Sequence, residues 1–158
     1  MKPYIVAIIA MAVVPQMASA VSVTGNASVV IQSAITAIQT QQMNFGKVTP
    51  AATAGVVTLT PAGVASSSTL GTYGTAAAGQ FSITAQPSTA LNITFSNGSV
   101  TNGANSMTID SFTSSSTPAS NTTDASGNLA LNVGANLNVG ANQATGTYNG
   151  TYTVTVNY

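Results

Sequence analysis

The chain of 158 residues contains no cysteine, no histidine and no tryptophan, and two cationic plus two anionic side chains give it a formal net charge of zero. Each absence removes a class of function. Without cysteine no disulfide can staple the fold in an oxidising compartment, so stability has to come from packing and from neighbouring subunits. Without histidine or cysteine, zinc and copper sites lose their usual ligands and a nucleophilic serine loses its activating base. The cations are Lys2 and Lys47 alone. They are too few for the counterion release that holds a protein on nucleic acid, or for a patch on an anionic membrane. The anions, Asp110 and Asp124, fall on different predicted elements, so a paired-carboxylate acid–base centre is not expected. The sequence therefore predicts a chain without enzymatic activity, cofactor, metal or nucleic-acid partner.

What remains is a surface of Ser, Thr, Asn, Gln and Gly. A coat with so little charge repulsion suits polymers and crowded surface layers. Lys2, the apolar run from Tyr4 to Val14 and the small residues Ala18-Ser19-Ala20 read as a signal peptide, residues 1–20, cleaved after Ala20. The run falls short of the about twenty residues that a membrane-spanning helix needs, and no later stretch approaches that length. The expectation is a chain exported through the periplasm to the cell surface or extracellular space, with no membrane span after signal removal. Residues 21–158 have the size of a single domain.

Period-two alternation is the dominant pattern. Tyr148, Gly150, Tyr152, Val154, Val156 and Tyr158 occupy one face of the closing segment, and Thr151, Thr153, Thr155 and Asn157 the other, which predicts a half-buried strand ending at the last residue. Val21, Val23, Gly25, Ala27, Val29 and Ile31 alternate in the same way and predict a strand at the start of the mature chain. Ala34, Ile35, Ile38 and Met43 have loose helical spacing, but Thr36, Thr40 and Phe45-Gly46 weaken a helix, leaving a turn or a second strand. Further strands are expected at Val56 to Thr60, around Phe81 and Ile83, around Ile93 and Phe95, and at Met107 to Ile109. Gln86 to Ala90 has the length of a hairpin connection, and Ser114 to Gly127 reads as an exposed low-complexity loop. Leu131-Asn132-Val133-Gly134-Ala135-Asn136 is nearly repeated by the next six residues. Two copies are too few to stack as a solenoid, so a hairpin or bent strand is expected there. Seven or eight short strands with turn signals between them indicate an all-β, antiparallel, immunoglobulin-like β-sandwich.

Smaller signals carry less. Asp124-Ala125-Ser126-Gly127-Asn128 has the start of a calcium loop without its further acidic ligands, and reads as a turn. Lys47, an Asn and Asp110 are the ingredients of an intramolecular amide crosslink, but nothing in the sequence fixes their proximity. The five Asn-X-Ser/Thr triplets follow from composition, and the tyrosines read first as packing residues.

Met43-Asn44-Phe45-Gly46, the stretch Leu129 to Leu137 and the ending Ala141 to Tyr158 resemble the bacterial family called domain of unknown function 4402. The ending, a Gly and a Tyr followed by alternating Thr and Val to a terminal Tyr, is also similar to chaperone-usher pilins and to spore-coat U-like secreted proteins. The pilin resemblance implies a sandwich lacking its last strand, with the gap filled first by a periplasmic chaperone, at an outer-membrane usher, and then by the N-terminal extension of the next subunit. Val21, Val23, Gly25, Ala27, Val29 and Ile31 would then form a donor strand, and Tyr148, Gly150, Tyr152, Val154, Val156 and Tyr158 the strand beside the acceptor groove. The chain departs from pilins in having no cysteine pair. Self-pairing of residues 21–31 within their own domain is the alternative for that segment. For the whole chain, the expectation is a structural subunit of a surface fibre or fimbria. The alternative is a monomeric surface or matrix domain that binds carbohydrate through exposed Tyr and Asn.

Overall fold

A computed structural model describes residues 20–158. The expected signal segment, residues 1–20, lies outside the described residues except for Ala20. The chain divides after Ile31 into two units, and all the strands fall in the second, Gln32–Tyr158. Residues 20–31 form no strand, and Val21, Val23, Val29, Val30 and Ile31 are 83–87% exposed. The alternating pattern there is present without the ladder it predicts, because a strand exists only against a hydrogen-bonding neighbour.

The second unit is all-β, with no helix among the described residues. Its ten strands are β1 (Thr36–Gln41), β2 (Lys47–Thr49), β3 (Gly55–Leu59), β4 (Ala65–Ser66), β5 (Gly71–Tyr73), β6 (Gly79–Thr84), β7 (Asn92–Asn102), β8 (Asn105–Thr117), β9 (Asn128–Val139) and β10 (Asn149–Asn157). Eight form one antiparallel sheet in the order β1-β6-β9-β8-β7-β10, with β3 on β9 and β4 on β3; β2 and β5 pair apart from it. The short β2, β4 and β5 account for the excess over the seven or eight strands expected.

One sheet makes two layers because its central strands bend. Along one edge of β9, Asn128–Val133 pairs with β6 and Ala135–Val139 pairs with β3. The change of partner falls at Gly134, where a Cβ would collide with the Leu59 carbonyl oxygen, so only glycine lets the two backbones approach there. β8 bends beside it, with a bulge between Asp110 and Thr113 and Ser111 at φ 50°. The near repeat from Leu131 to Asn142 is thus a bent strand and the turn that follows it. Ser114 to Thr117, expected in a loop, continues β8 and pairs with Ala130–Val133. Gln86 to Ala90 is not a hairpin turn. β6 pairs with β1 and β9 while β7 pairs with β8 and β10, so the connection crosses between layers. Buried Thr123 pins that crossing: its hydroxyl donates to the Gln86 carbonyl at 2.6 Å and accepts from the Thr89 amide at 2.9 Å.

The core follows the bend. Ile83, Ala85, Leu91, Leu129, Leu131 and Val133 fill one end; Val57, Leu70, Ile109, Ala135, Leu137 and Val139 fill the other. Phe112 packs against both clusters. It stacks on Phe95 with ring centroids 5.4 Å apart and lies 5.2 Å from Tyr152.

Candidate functional site

The two ends of the strand order, β1 and β10, each have a single neighbour. Every residue of β1 is exposed, although Ala37 and Gln39 pair with Ile83 and Phe81 and so share their inward face. A strand whose inner face is as exposed as its outer face has nothing packed over it. On β10 the alternation is intact: Tyr152, Val154 and Val156 are half-buried and their neighbours exposed. Even these inward residues stay short of full burial.

Between β1 and β10 lies a cleft of about 1200 Å³. Ala37, Gln39 and Gln41 of β1 line one side, Gly150, Tyr152 and Val154 of β10 the other, and core side chains including Phe81, Leu137 and Val139 form the floor. The backbone edges along both sides have no strand partner among the described residues, and so present the free N–H and C=O groups of a sheet edge.

The two ends of the cleft differ. Where β10 finishes, the Tyr158 hydroxyl donates to the Ser33 carbonyl and accepts from the Gln86 amide at 3.0 Å. Ser33 also donates to Gln86 Oε1 from its hydroxyl at 3.0 Å. Tyr158 thereby ties the segment leading into β1 to the β6–β7 crossing. At the other end the lining continues into Gln42–Phe45 and Gln143–Tyr148. There Tyr148 accepts from Gln143 Nε2 at 2.9 Å and donates to the Ala144 carbonyl at 2.8 Å, which holds the loop in shape beside an open mouth.

Tyr152 crosses the interior beneath the cleft. Its ring meets Phe81 edge-on at 6.2 Å, and its hydroxyl reaches Gly79 on β6, where a Cβ would collide with it. That hydroxyl is buried without a hydrogen-bond partner, and burial pushes the phenol above its ordinary pKa of 10.0.

Of the six expected groove residues, Tyr148, Gly150, Tyr152 and Val154 line the cleft, while Val156 packs into the core and Tyr158 bonds to Ser33 and Gln86 outside that lining. The expected donor residues, Val21 to Ile31, lie in the other unit. Sequence reasoning missed β1 as the opposite wall. Its inward positions are Ala37 and Gln39, which offer no apolar alternation; the usable signal was the β-branched set Thr36, Ile38 and Thr40 on the outer face.

Of the charged side chains, Lys47 is among the residues that line the cleft, and Asp110 and Asp124 are not. Asp124 Oδ1 accepts from the Asn128 and Ser126 amides at 2.8 Å each, and the Asn128 bond leads in holding the carboxyl below its ordinary value against a smaller desolvation effect. This is the turn expected for that stretch. Asp110 accepts from Asn138 Nδ2 at 2.8 Å. Lys47 sits on β2 in the small sheet and Asp110 on β8 in the large one. No group of three or more His, Cys, Asp or Glu side chains with metal-binding geometry exists among the described residues. The chemistry this arrangement offers is recognition by backbone edges and apolar side chains.

Fold and cleft define an all-β, sandwich-like protein whose first and last strands stop short of closing the sheet. Residues 34–158 match the model of the family described as Domain of unknown function (DUF4402), and the chain belongs to that family. No curated protein and no solved structure matches it.

Proposed function

We propose that this protein is an exported, non-enzymatic structural subunit of a bacterial surface fibre or fimbria, assembled by β-strand addition into the cleft between β1 and β10. The observation that carries this reading is the pair of unpartnered edges flanking an apolar floor, one of them a strand with no buried position. An added strand would satisfy both edges by main-chain hydrogen bonds and place alternate side chains on the floor. Residues 21–31 of a second copy have the required character: apolar side chains at alternate positions, exposed, and outside any ladder of their own. A periplasmic chaperone delivering the subunit to an outer-membrane usher would cover the same edges before assembly.

The test compares the chain starting at Val21 with one starting at Gln32. The full mature chain is expected to form fibres by negative-stain microscopy and ladders on unboiled gels, and the shorter chain to remain monomeric. A synthetic peptide of residues 21–31 should raise the Tm of the shorter chain. A full-length chain that stays monomeric, together with no peptide-induced shift, would reject strand addition in favour of a monomeric surface or matrix domain.

A further inference from the structure

Asn97, Asn102 and Asn149 each precede a glycine. In that dipeptide no side chain stands between the glycine nitrogen and the asparagine carboxamide, so the two groups can react with each other. The fold treats the three pairs differently. Gly98 pairs with Ile109 of β8, inside a strand that has β10 on its other edge. Asn149 and Gly150 pair with Thr101 and Val100 of β7, and Gly150 lies so close to that strand that a Cβ on it would collide with the Ser99 carbonyl oxygen. Both ladders hold their backbones extended. Asn102 is the last rung of the β7–β8 hairpin, opposite Asn105, and Gly103 and Ala104 alone make the turn. Gly103 is exposed at φ 61°, the first central position of a type II′ turn, with open space where a side chain would be. Its N–H donates no backbone hydrogen bond among the described residues.

We infer that Asn102 is a site of spontaneous deamidation, and that its product places a negative charge against the loop at the mouth of the cleft. The Gly103 nitrogen bonds to Asn102 Cγ, the Cγ–Nδ2 bond breaks, and the Gly103 proton leaves with the side-chain nitrogen as ammonia. Water then opens the resulting succinimide at either carbonyl, giving aspartate or isoaspartate. Water is the only co-reactant, and neither a partner nor strand addition is needed. Bringing the Gly103 nitrogen onto Cγ takes the opening of one terminal rung, whereas the same movement at Asn97 or Asn149 has to break a ladder with a neighbouring strand.

The surroundings of Asn102 give the change a consequence. Its carboxamide lies against the β9–β10 loop, where a Cβ on Gly146 would collide with Nδ2. Gly146 belongs to the stretch Gln143–Tyr148 that lines the cleft, and that stretch is held from within by the bonds of Tyr148 to Gln143 and Ala144. Deamidation replaces the Nδ2 that meets Gly146 by a carboxylate oxygen, and isoaspartate also adds a methylene to the main chain at the base of the turn. The loop therefore loses its contact with the hairpin. The charge is also large for this chain: beyond the expected signal segment, Lys47, Asp110 and Asp124 are its charged side chains.

The test follows the mature chain during long incubation in neutral buffer at physiological temperature, once folded and once unfolded in guanidinium chloride. Chymotryptic peptides are mapped by mass spectrometry that separates aspartate from isoaspartate. In the unfolded chain all three Asn-Gly pairs are expected to react at similar rates, because each has the same following residue. In the folded chain Asn102 is expected to react at least about tenfold faster than Asn97 and Asn149, which wait for their ladders to open. Equal rates in the folded chain, a faster reaction at either of the other two, or an Asn102 that reacts only when unfolded would each overturn the assignment. On isoelectric focusing the first acidic species to form should be absent from Asn102→Gln; its persistence would place the reacting amide elsewhere. As a second measurement, the amides of Gly146 to Tyr148 should exchange hydrogen faster in the isoaspartate form than in the unreacted chain. Unchanged exchange there would overturn the link to the cleft.

Discussion

Tyr152 shows how a single side chain can be well packed and still destabilising. Its ring contacts Phe81 and Phe112, yet its buried hydroxyl lacks a partner, and an unmade hydrogen bond of that kind costs about 1–3 kcal/mol. Tyr152→Phe is therefore expected to leave stability unchanged or raise it by up to about 2 kcal/mol in urea titration. Because burial raises the phenol pKa in the folded chain, the unfolded chain loses this proton first as the solution becomes alkaline. The stabilising contribution is complete below the unfolded value of 10.0 and is lost as pH climbs through the folded one. The wild type should consequently lose stability above about pH 10 more steeply than Tyr152→Phe; parallel curves would place the hydroxyl in contact with water. Gly134 is the opposite case, a residue defined by what cannot be added. Gly134→Ala drives a methyl group into the Leu59 carbonyl and the Thr60 backbone, at an expected cost of about 2–3 kcal/mol, readable as a lower urea midpoint with an unchanged slope.

Among whole strands, β10 is the element whose role was clearest beforehand. Its alternation predicts which residues face inward, and the half-buried Tyr152, Val154 and Val156 do. The faces differ enough for a paired test: Val154→Asp should cost about 2–4 kcal/mol by burying a carboxylate without a partner, and Thr153→Asp less than about 0.5 kcal/mol. Equal losses would mean the faces are not distinct. β1 was not legible in the same way, because Ala37 and Gln39 face a gap and carry no apolar pattern. The β6–β7 connection was misjudged for another reason. Its length is that of a hairpin, but length cannot tell a turn within one layer from a crossing between two. That distinction rests on Thr123, which lies 37 residues from the Gln86 carbonyl it binds.

For the molecule as a whole, the described strands and the alternating segment of residues 21–31 lie in different units of the chain. Among the described residues, both core clusters and every strand lie within Gln32–Tyr158. Monomeric chains starting at Val21 and at Gln32 should therefore have the same urea midpoint and slope, since the slope follows the surface exposed on unfolding. A smaller slope for the shorter chain would show that residues 21–31 contribute to the monomer's fold. In the proposed fibre, burial of those same residues links the two parts, so stability would come to depend on protein concentration.

Local rules were enough for the all-β class and the strands β3, β6, β7 and β10, because side-chain period and turn residues are properties of neighbours along the chain; they left β9 as a hairpin or a bent strand, and they predict a strand over residues 21–31 that the fold does not contain. Family membership was legible too, from Met43-Asn44-Phe45-Gly46 and the closing residues. Which edges stay open was not. The bent strands β8 and β9 fold one sheet into two layers, Tyr158 reaches back to Ser33, and β1 and β10 come to face one cleft. The last two relations join residues more than a hundred positions apart, and only the packing of the folded chain brings them together.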